Sequence, residues 1–151
     1  MSQNKIISIK PIGYVKTQAI GKQVRDKNRT SEIIIFNDYI DALKGIEEFS
    51  HIIVLFWLDK ISTKQIRLKV HPRGRRDLPL LGVFATRSMF RPNPIGLTIV
   101  ELIKIENAVL LVRGLDAFNL TPVLDLKPFD FWDRDKKLTV PKWWHNLDKN
   151  V

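Results

Sequence analysis

Hydrophobic and polar positions alternate along this chain with a short period, and most apolar runs are too short for helices. Ser31 to Phe36 is β-branched and closes on Asn37–Asp38, a turn signal. Ser50 to Trp57 is a continuous apolar run of strand length, rich in Ile and Val, and predicts a buried strand. Ile66 to Val70, Leu80 to Ala85, Leu97 to Ile105 and Ala108 to Leu115 predict further strands, with a tight hairpin at Glu106–Asn107. Val123 to Leu126 is a shorter one that stops before Pro128. Tyr39 to Glu47 is the one stretch that predicts a short helix, with Asp38 as its N-cap and Gly45 near its end. Many short strands and few helices predict an all-β dominated fold: a single closed or nearly closed β-barrel with a few short helices. No internal repeat interrupts the pattern. Residues 1–130 are expected to form the barrel. Residues 131–151 are expected to be an aromatic and basic tail that packs on the barrel or on a partner subunit.

One segment does not fit a plain strand connection. Gly82 to Leu97 reads GVFATRSMFRPNPIGL. Arg87 and Arg91 stand four apart, and Pro92 and Pro94 bracket Asn93. Each proline fixes its own φ and pushes the preceding residue out of the α region, so Arg91 and Asn93 are held extended. The product is a stiff loop presenting two guanidinium groups and an amide, the kind of place where sites are built. A proline-rich connection that merely carries surface arginines, braced by them, is the competing explanation.

Composition narrows the function. The chain has 151 residues, 44% hydrophobic and 27% charged, an ordinary single-domain balance. There is no cysteine, which excludes disulfides and thiolate metal sites, and His51, His71 and His145 show no short ligand spacing. No bound metal is therefore expected, and His51 is expected to make a structural hydrogen bond. No apolar run reaches membrane-span length, and residues 1–30 lack an apolar signal core, so a cytoplasmic protein is expected.

Charge is more telling. The formal net charge is +9. Residues 1–30 hold seven Lys/Arg against Asp26 alone, and residues 64–91 hold eight against Asp77 alone. Lys64 to Val70 alternates basic and apolar residues, which on a strand would put its charges on one face. His71–Pro72–Arg73–Gly74–Arg75–Arg76 continues as a basic loop. Such a surface attracts phosphates and speeds encounter with nucleic acid, with Lys69, Arg73, Arg75 and Arg76 as the candidate contacts, unless it is a solvated face that aids solubility. Phe129, Phe131, Trp132, Trp143 and Trp144 lie among Arg134, Lys136, Lys137 and Lys142. That mixture suits base stacking, a subunit interface or a cover for the barrel mouth. Trp132 is expected to pack down, while Trp143–Trp144 stays open between interface and core.

Three ordered blocks carry a family resemblance. They are Gly45–Ile46–Glu47–Glu48–Phe49–Ser50–His51 with the apolar run after it; the Gly82–Leu97 segment; and Gly114–Leu115–Asp116, Thr121–Pro122–Val123 and Asp125–Leu126–Lys127–Pro128. With Pro11–Ile12–Gly13 they span roughly residues 8 to 129, and together the chain resembles the TsaA-like, or TrmO, family of tRNA-modifying proteins. The resemblance implies S-adenosylmethionine as cofactor, bound on a barrel, and methylation of N6 of threonylcarbamoyladenosine at position 37 in the anticodon arm of tRNA. It also implies a homodimer. Pattern alone would not have found the cofactor, because no glycine-rich strand–helix turn is present. The alternatives are a non-catalytic basic RNA-binding barrel and a small-molecule methyltransferase.

The resemblance also assigns residues. Arg87, Leu97, Leu120, Thr121, Pro122 and Val123 match the family's cofactor positions. Asp59 and Lys60 match a pair where histidine and glutamine are frequent, and Arg25 matches an N-terminal arginine. On chemical grounds, an in-line methyl transfer to nitrogen needs positioning and a proton acceptor. Asp116 is the best carboxylate for that, unless it caps a turn. Arg91 and Asn93 are placed to meet the substrate's carboxylate or a phosphate.

Overall fold

The computed structural model describes residues 5–134 and 136–147. Eight strands form: β1 (Gly13–Lys16), β2 (Thr30–Ile35), β3 (His51–Trp57), β4 (Lys69–Val70), β5 (Leu81–Gly82), β6 (Ile95–Glu106), β7 (Val109–Arg113) and β8 (Pro122–Pro128). Six of them close into a barrel in the order β1-β2-β7-β6-β3-β8, while β4 and β5 pair separately. The chain divides into two compact units. The first holds residues 1–57 and 96–129, the second 58–95 and 130–151.

The barrel follows from side-chain alternation. Val15, Ile33, Ile35, Ile52, Val54, Phe56, Val100, Leu110, Val112 and Val123 are all at most 3% exposed. Within each strand they are spaced by two, so they point to one face, the interior. β-Branched side chains dominate, which suits a pleated wall. A register shift between Leu55 and Phe56 on β3 and another between Leu102 and Lys104 on β6 bend the sheet toward closure. Asn107 takes a left-handed φ of 54° in the two-residue turn between β6 and β7, one residue beyond the expected hairpin.

The antiparallel order decides which connections share an end. The β1–β2 connection (17–29), the β7–β8 connection (114–121), the end of β3 and the start of β6 all lie at one end of the barrel. The chain leaves at Trp57 and re-enters at Ile95 at that same end.

Several sequence expectations are corrected. Leu80 to Ala85 is a strand only at Leu81–Gly82; Val83–Ala85 is a 3-10 turn, locked where the Thr86 hydroxyl donates to the Val83 carbonyl at 2.8 Å. Ile66 to Val70 is a strand only at Lys69–Val70, because the Arg67 N–H bonds the Phe90 carbonyl at 2.9 Å instead of continuing a ladder. Lys64 lies in the 3-10 turn Thr63–Gln65, so the basic residues do not share one strand face. The helix expected over Tyr39 to Glu47 is two 3-10 turns, Asn37–Leu43 and Ile46–Glu48, broken by Gly45 at φ 92°. Asp38 caps neither; Phe36 holds the N-cap position. β1 has no counterpart among the expected strands. Trp132 is 79% exposed rather than packed down.

Candidate active site

At the site end of the barrel, β8 begins on a strained residue. Leu120 has φ 65°, rare for a residue with a branched side chain, and is 63% exposed. The surroundings hold it there. Its N–H donates to the Val15 carbonyl at 2.7 Å, and the Val15 N–H donates to the Thr121 carbonyl at 3.0 Å. Thr121 is 3% exposed, and its N–H returns to the Phe118 carbonyl at 3.2 Å. The Asn119 Oδ1 accepts from the Thr17 N–H at 3.1 Å, tying the β7–β8 loop to the β1–β2 loop. The backbone is over-determined so that an apolar side chain stands in solvent, a pattern typical of ligand sites.

Strands bring the distant sequence blocks into one row. Phe56 on β3 pairs with Val123 on β8, and Val123 pairs with Gly13 on β1. On the other side of β3, Gly96 on β6 abuts the Phe56 ring: a Cβ there would overlap it. The ring occupies the space that a side chain at 96 would need. Leu97, the next residue, therefore points outward and is 46% exposed.

Asp116 lies just beyond β7, after Gly114 turns the chain at φ 88°. Among the described residues its carboxylate accepts no hydrogen bond, so the turn-cap reading has no support in the geometry. The side chain reaches solvent, yet neighbouring atoms crowd it. This desolvation raises its pKa above the ordinary aspartate range, and the Arg25 guanidinium pulls it partly back. Two residues 91 positions apart in sequence thus interact at this end of the barrel.

The remaining expected residues belong to the second unit. Arg91 braces its own loop: one Nη2 reaches the Thr86 carbonyl at 3.3 Å and the Val83 carbonyl at 3.4 Å. Thr86, 7% exposed, also accepts the Ser88 N–H at 3.2 Å on its hydroxyl. Pro94 is buried, and its carbonyl takes the Leu58 N–H at 2.8 Å. Arg87 and Asn93 are exposed with unengaged side chains among the described residues. The two arginines of the loop therefore differ: Arg91 stiffens it and Arg87 extends from it. Asp59 and Lys60 are exposed in the turn after Trp57.

Two arginines of the basic loop bond within the chain. Arg73 Nη1 donates to the Leu147 carbonyl at 2.8 Å, and Arg75 Nη1 donates to the Asn146 carbonyl at 2.7 Å. Arg75 also grips Asp77 with Nε at 3.2 Å and Nη2 at 2.6 Å. Most donors of Arg75 are spent inside the protein; Lys69 and Arg76 remain exposed without such partners among the described residues. His51 bonds Ser50 Oγ at 2.9 Å, a local structural contact.

Sequence reasoning does not reach Asn119, Thr86 or the left-handed Leu120. Asn119, directly before Leu120–Thr121–Pro122, is the available signal, since asparagine favours side-chain-to-backbone bonds in turns. A cleft of about 420 Å³ is lined by Ile40, Asp41, Leu43, Lys44, Glu47 and Ile105, at the other end of the barrel from these residues. Among the described residues no His/Asp/Glu cluster is arranged to hold a metal, and no helix is long and apolar enough to cross a membrane.

A closed six-stranded antiparallel barrel places the protein among the β-barrel proteins rather than the α/β sheets. The chain belongs to the TrmO family: residues 12–133 match the tRNA-methyltransferase O N-terminal domain. An S-adenosyl-L-methionine-binding protein of Archaeoglobus fulgidus is 45% identical over 126 residues, covering 80% of this chain and 88% of the relative. A mouse tRNA (adenine(37)-N6)-methyltransferase is 41% identical over 114 residues, 75% of this chain but only 26% of the relative. The crystal structure of TrmO from Pseudomonas aeruginosa superposes with a TM-score of 0.71 at 28% identity, covering 90% of this chain. The chain spans 62% of that solved structure's length.

Proposed function

We propose that this chain is an S-adenosylmethionine-dependent tRNA methyltransferase acting on N6 of threonylcarbamoyladenosine at position 37. The observation that carries the reading is the barrel end where Asp116, Arg25 and the strained, exposed Leu120 come together. The chemistry of the donor set suits the cofactor. In the barrel unit Leu97 and Leu120 offer apolar surface for a purine and Arg25 a guanidinium for a carboxylate; Arg87, on its own loop in the second unit, is a cofactor position by the family resemblance. Thr121, Pro122 and Val123 fix the strand start that presents Leu120, and Asp59 and Lys60 supply the turn that closes the second block. When bound, the cofactor supplies an activated methyl group.

The chain's own residues handle the proton and the position. Asp116, with its raised pKa, is a better base than an ordinary aspartate and is the candidate acceptor for the N6 proton. Arg91 acts in this reading chiefly by stiffening the loop that carries Arg87 and Asn93. Lys69 and Arg76 meet phosphates of the anticodon arm, while Arg73 and Arg75 secure the surface beside them.

The reading includes a cytoplasmic homodimer. What supports the dimer is the outer face of β6, where Leu97, Ile99 and Ile103 are 46%, 45% and 37% exposed. An apolar stripe of that kind marks a contact surface. Sedimentation at micromolar concentration tests it, with a monomer as the contrary result.

The central experiment is calorimetric titration with S-adenosylmethionine in the presence of a chelator, followed by methyl transfer to tRNA. Saturable heat and labelled tRNA are expected. RNA binding without cofactor binding would replace the enzyme by a non-catalytic RNA-binding barrel. Cofactor binding with transfer only to small acceptors would establish the small-molecule reading instead.

A further inference from the structure

The two units divide the charge very unequally. Residues 58–95 and 130–151 contain fourteen Lys/Arg against six Asp/Glu, a net +8, so almost all of the chain's +9 lies in the second unit. The barrel unit is close to neutral.

Within this basic unit, residues 130–142 form an arm. Every described residue in that span is exposed. Its only regular element is one helical turn, α1 (Phe131–Arg134), started by Asp130, whose Oδ1 accepts the Trp132 N–H at 2.8 Å and the Asp133 N–H at 3.3 Å. That turn presents Phe131 and Trp132 at 72% and 79% exposure. Arg134 lies 5.8 Å from the centre of the Phe131 ring. Lys136 and Lys137 follow, exposed and without an ion pair among the described residues.

The far end of the arm is fastened. Trp143 and Trp144 stack obliquely at 5.3 Å, Leu147 is 8% exposed, and the Asn146 and Leu147 carbonyls are the acceptors for Arg75 and Arg73. Guanidinium groups on the last carbonyls of a turn satisfy its free acceptors and its negative end. A segment fastened at its far end thus keeps two large aromatic rings in water. Exposed apolar surface of that size marks an interaction site.

Charge selects the occupant. A second copy meeting this surface would bring together two basic units of net +8 each, most of that charge lying in residues 58–95, since residues 130–151 alone hold five Lys/Arg against four Asp. A polyanion whose own groups can stack has the complementary properties: phosphates for the lysines, base faces for the rings.

We propose that the arm is an RNA-binding element, in which Trp132 and Phe131 stack on unpaired nucleotides of the anticodon loop while Lys136 and Lys137 neutralise adjacent phosphates. This rests on the tRNA reading above and deepens it. Arg73 and Arg75 serve as positioning residues that hold the arm's far end.

The test is binding of the full-length protein to a synthetic anticodon stem–loop RNA across a salt series, with cofactor affinity and sedimentation measured in parallel. Trp132→Ala should weaken RNA binding roughly five- to 150-fold, the range of one lost base stack. Trp132→Phe should retain most of the affinity. The Trp132→Ala salt slope should match the wild type, since no charge is removed. Lys136→Gln with Lys137→Gln should flatten the slope of log K against log salt by roughly 0.7 per lost contact on single-stranded RNA. Arg75→Ala should weaken RNA binding without changing cofactor affinity. Wild-type protein that binds no RNA would overturn the tRNA reading itself. Wild-type binding matched by Trp132→Ala would overturn the arm alone. A fall in sedimentation mass in Trp132→Ala would reassign the aromatic pair to a subunit contact and overturn it equally.

Discussion

The contact between Gly96 and Phe56 makes a sharp prediction about both stability and ligand binding. The three atoms that a methyl group at position 96 would meet first all belong to the Phe56 ring. That ring is 3% exposed and faces the barrel core, so it has little room to retreat. Gly96→Ala is therefore an overpacking change, with a cost of about 1–3 kcal/mol. For a domain of this length each kcal/mol lowers Tm by roughly 2–4 °C, so a drop of about 2–12 °C is expected. Phe56→Leu alone should also destabilise, by removing buried volume. Combined, the smaller side chain at 56 makes way for the methyl at 96, and the double variant should lose less than the sum. Chemical denaturation of the wild type, both single variants and the double variant measures the coupling. Additivity within about 0.5 kcal/mol would refute the proposed collision. Leu97 sits on the same strand, so Gly96→Ala should weaken S-adenosylmethionine binding as well, and Phe56→Leu should partly restore it.

Three further outcomes follow from the site. Asp116 has a raised folded-state pKa, so its contribution to stability is fully present below the ordinary aspartate pKa and is lost as pH rises through the raised value. Asp116→Asn should thus be at least as stable as the wild type at neutral pH, with a flatter acid-side stability profile, while methyl transfer falls; lower stability of the variant at pH 7 would contradict the assigned cause. Arg87→Ala should leave Tm within the small range of surface changes, about 0.5 kcal/mol, and weaken cofactor binding. Arg91→Ala should lose about 1 kcal/mol, because the Thr86 carbonyl loses its donor and the Val83 carbonyl one of its three; equal thermal shifts in both variants would refute the division. Leu120→Gly should relieve a left-handed strain of about 1–2 kcal/mol and still reduce cofactor affinity by removing the exposed side chain, which thermal melts and calorimetry together would resolve.

Much of the barrel is legible in the sequence because its inner face is written in β-branched residues. Ser31–Phe36 and Ser50–Trp57 locate β2 and β3 to within a residue at each end, and Leu97–Ile105 lies wholly inside β6. β1 escapes notice because Gly13–Tyr14–Val15–Lys16 is too short for a pattern; its place is fixed by partners on β2 and β8. The second unit is misread for a different reason. Its apolar runs look like strands, yet hydroxyls and arginines bond the backbone locally and replace the ladders, as Thr86 does at Val83. The meeting of Arg25 and Asp116 depends on the pairing of β2 with β7, whose Thr30 and Arg113 are partners at this end, and no local window contains that. The same holds for Arg73 and Arg75, whose acceptor carbonyls lie more than 70 residues away in sequence.

Barrel closure has a consequence for which part of the molecule opens first. The seam between β1 and β8 has two paired ladder positions, Gly13 with Val123 and Tyr14 with Pro122, extended by the backbone bonds of Ile12 to Val123, Val15 to Thr121 and Leu120 to Val15, whereas β2 and β7 share five paired positions. Its ladder is shorter than that of β2 with β7, and opening there would loosen the turn that strains Leu120. Amide hydrogen exchange should accordingly be fastest, among the barrel ladders, at Val15 and Val123. Any ligand gripping Leu120 to Val123 would slow it by clasping both sides of the seam, so protection at Val15, on the opposite strand, becomes a remote reporter of occupancy.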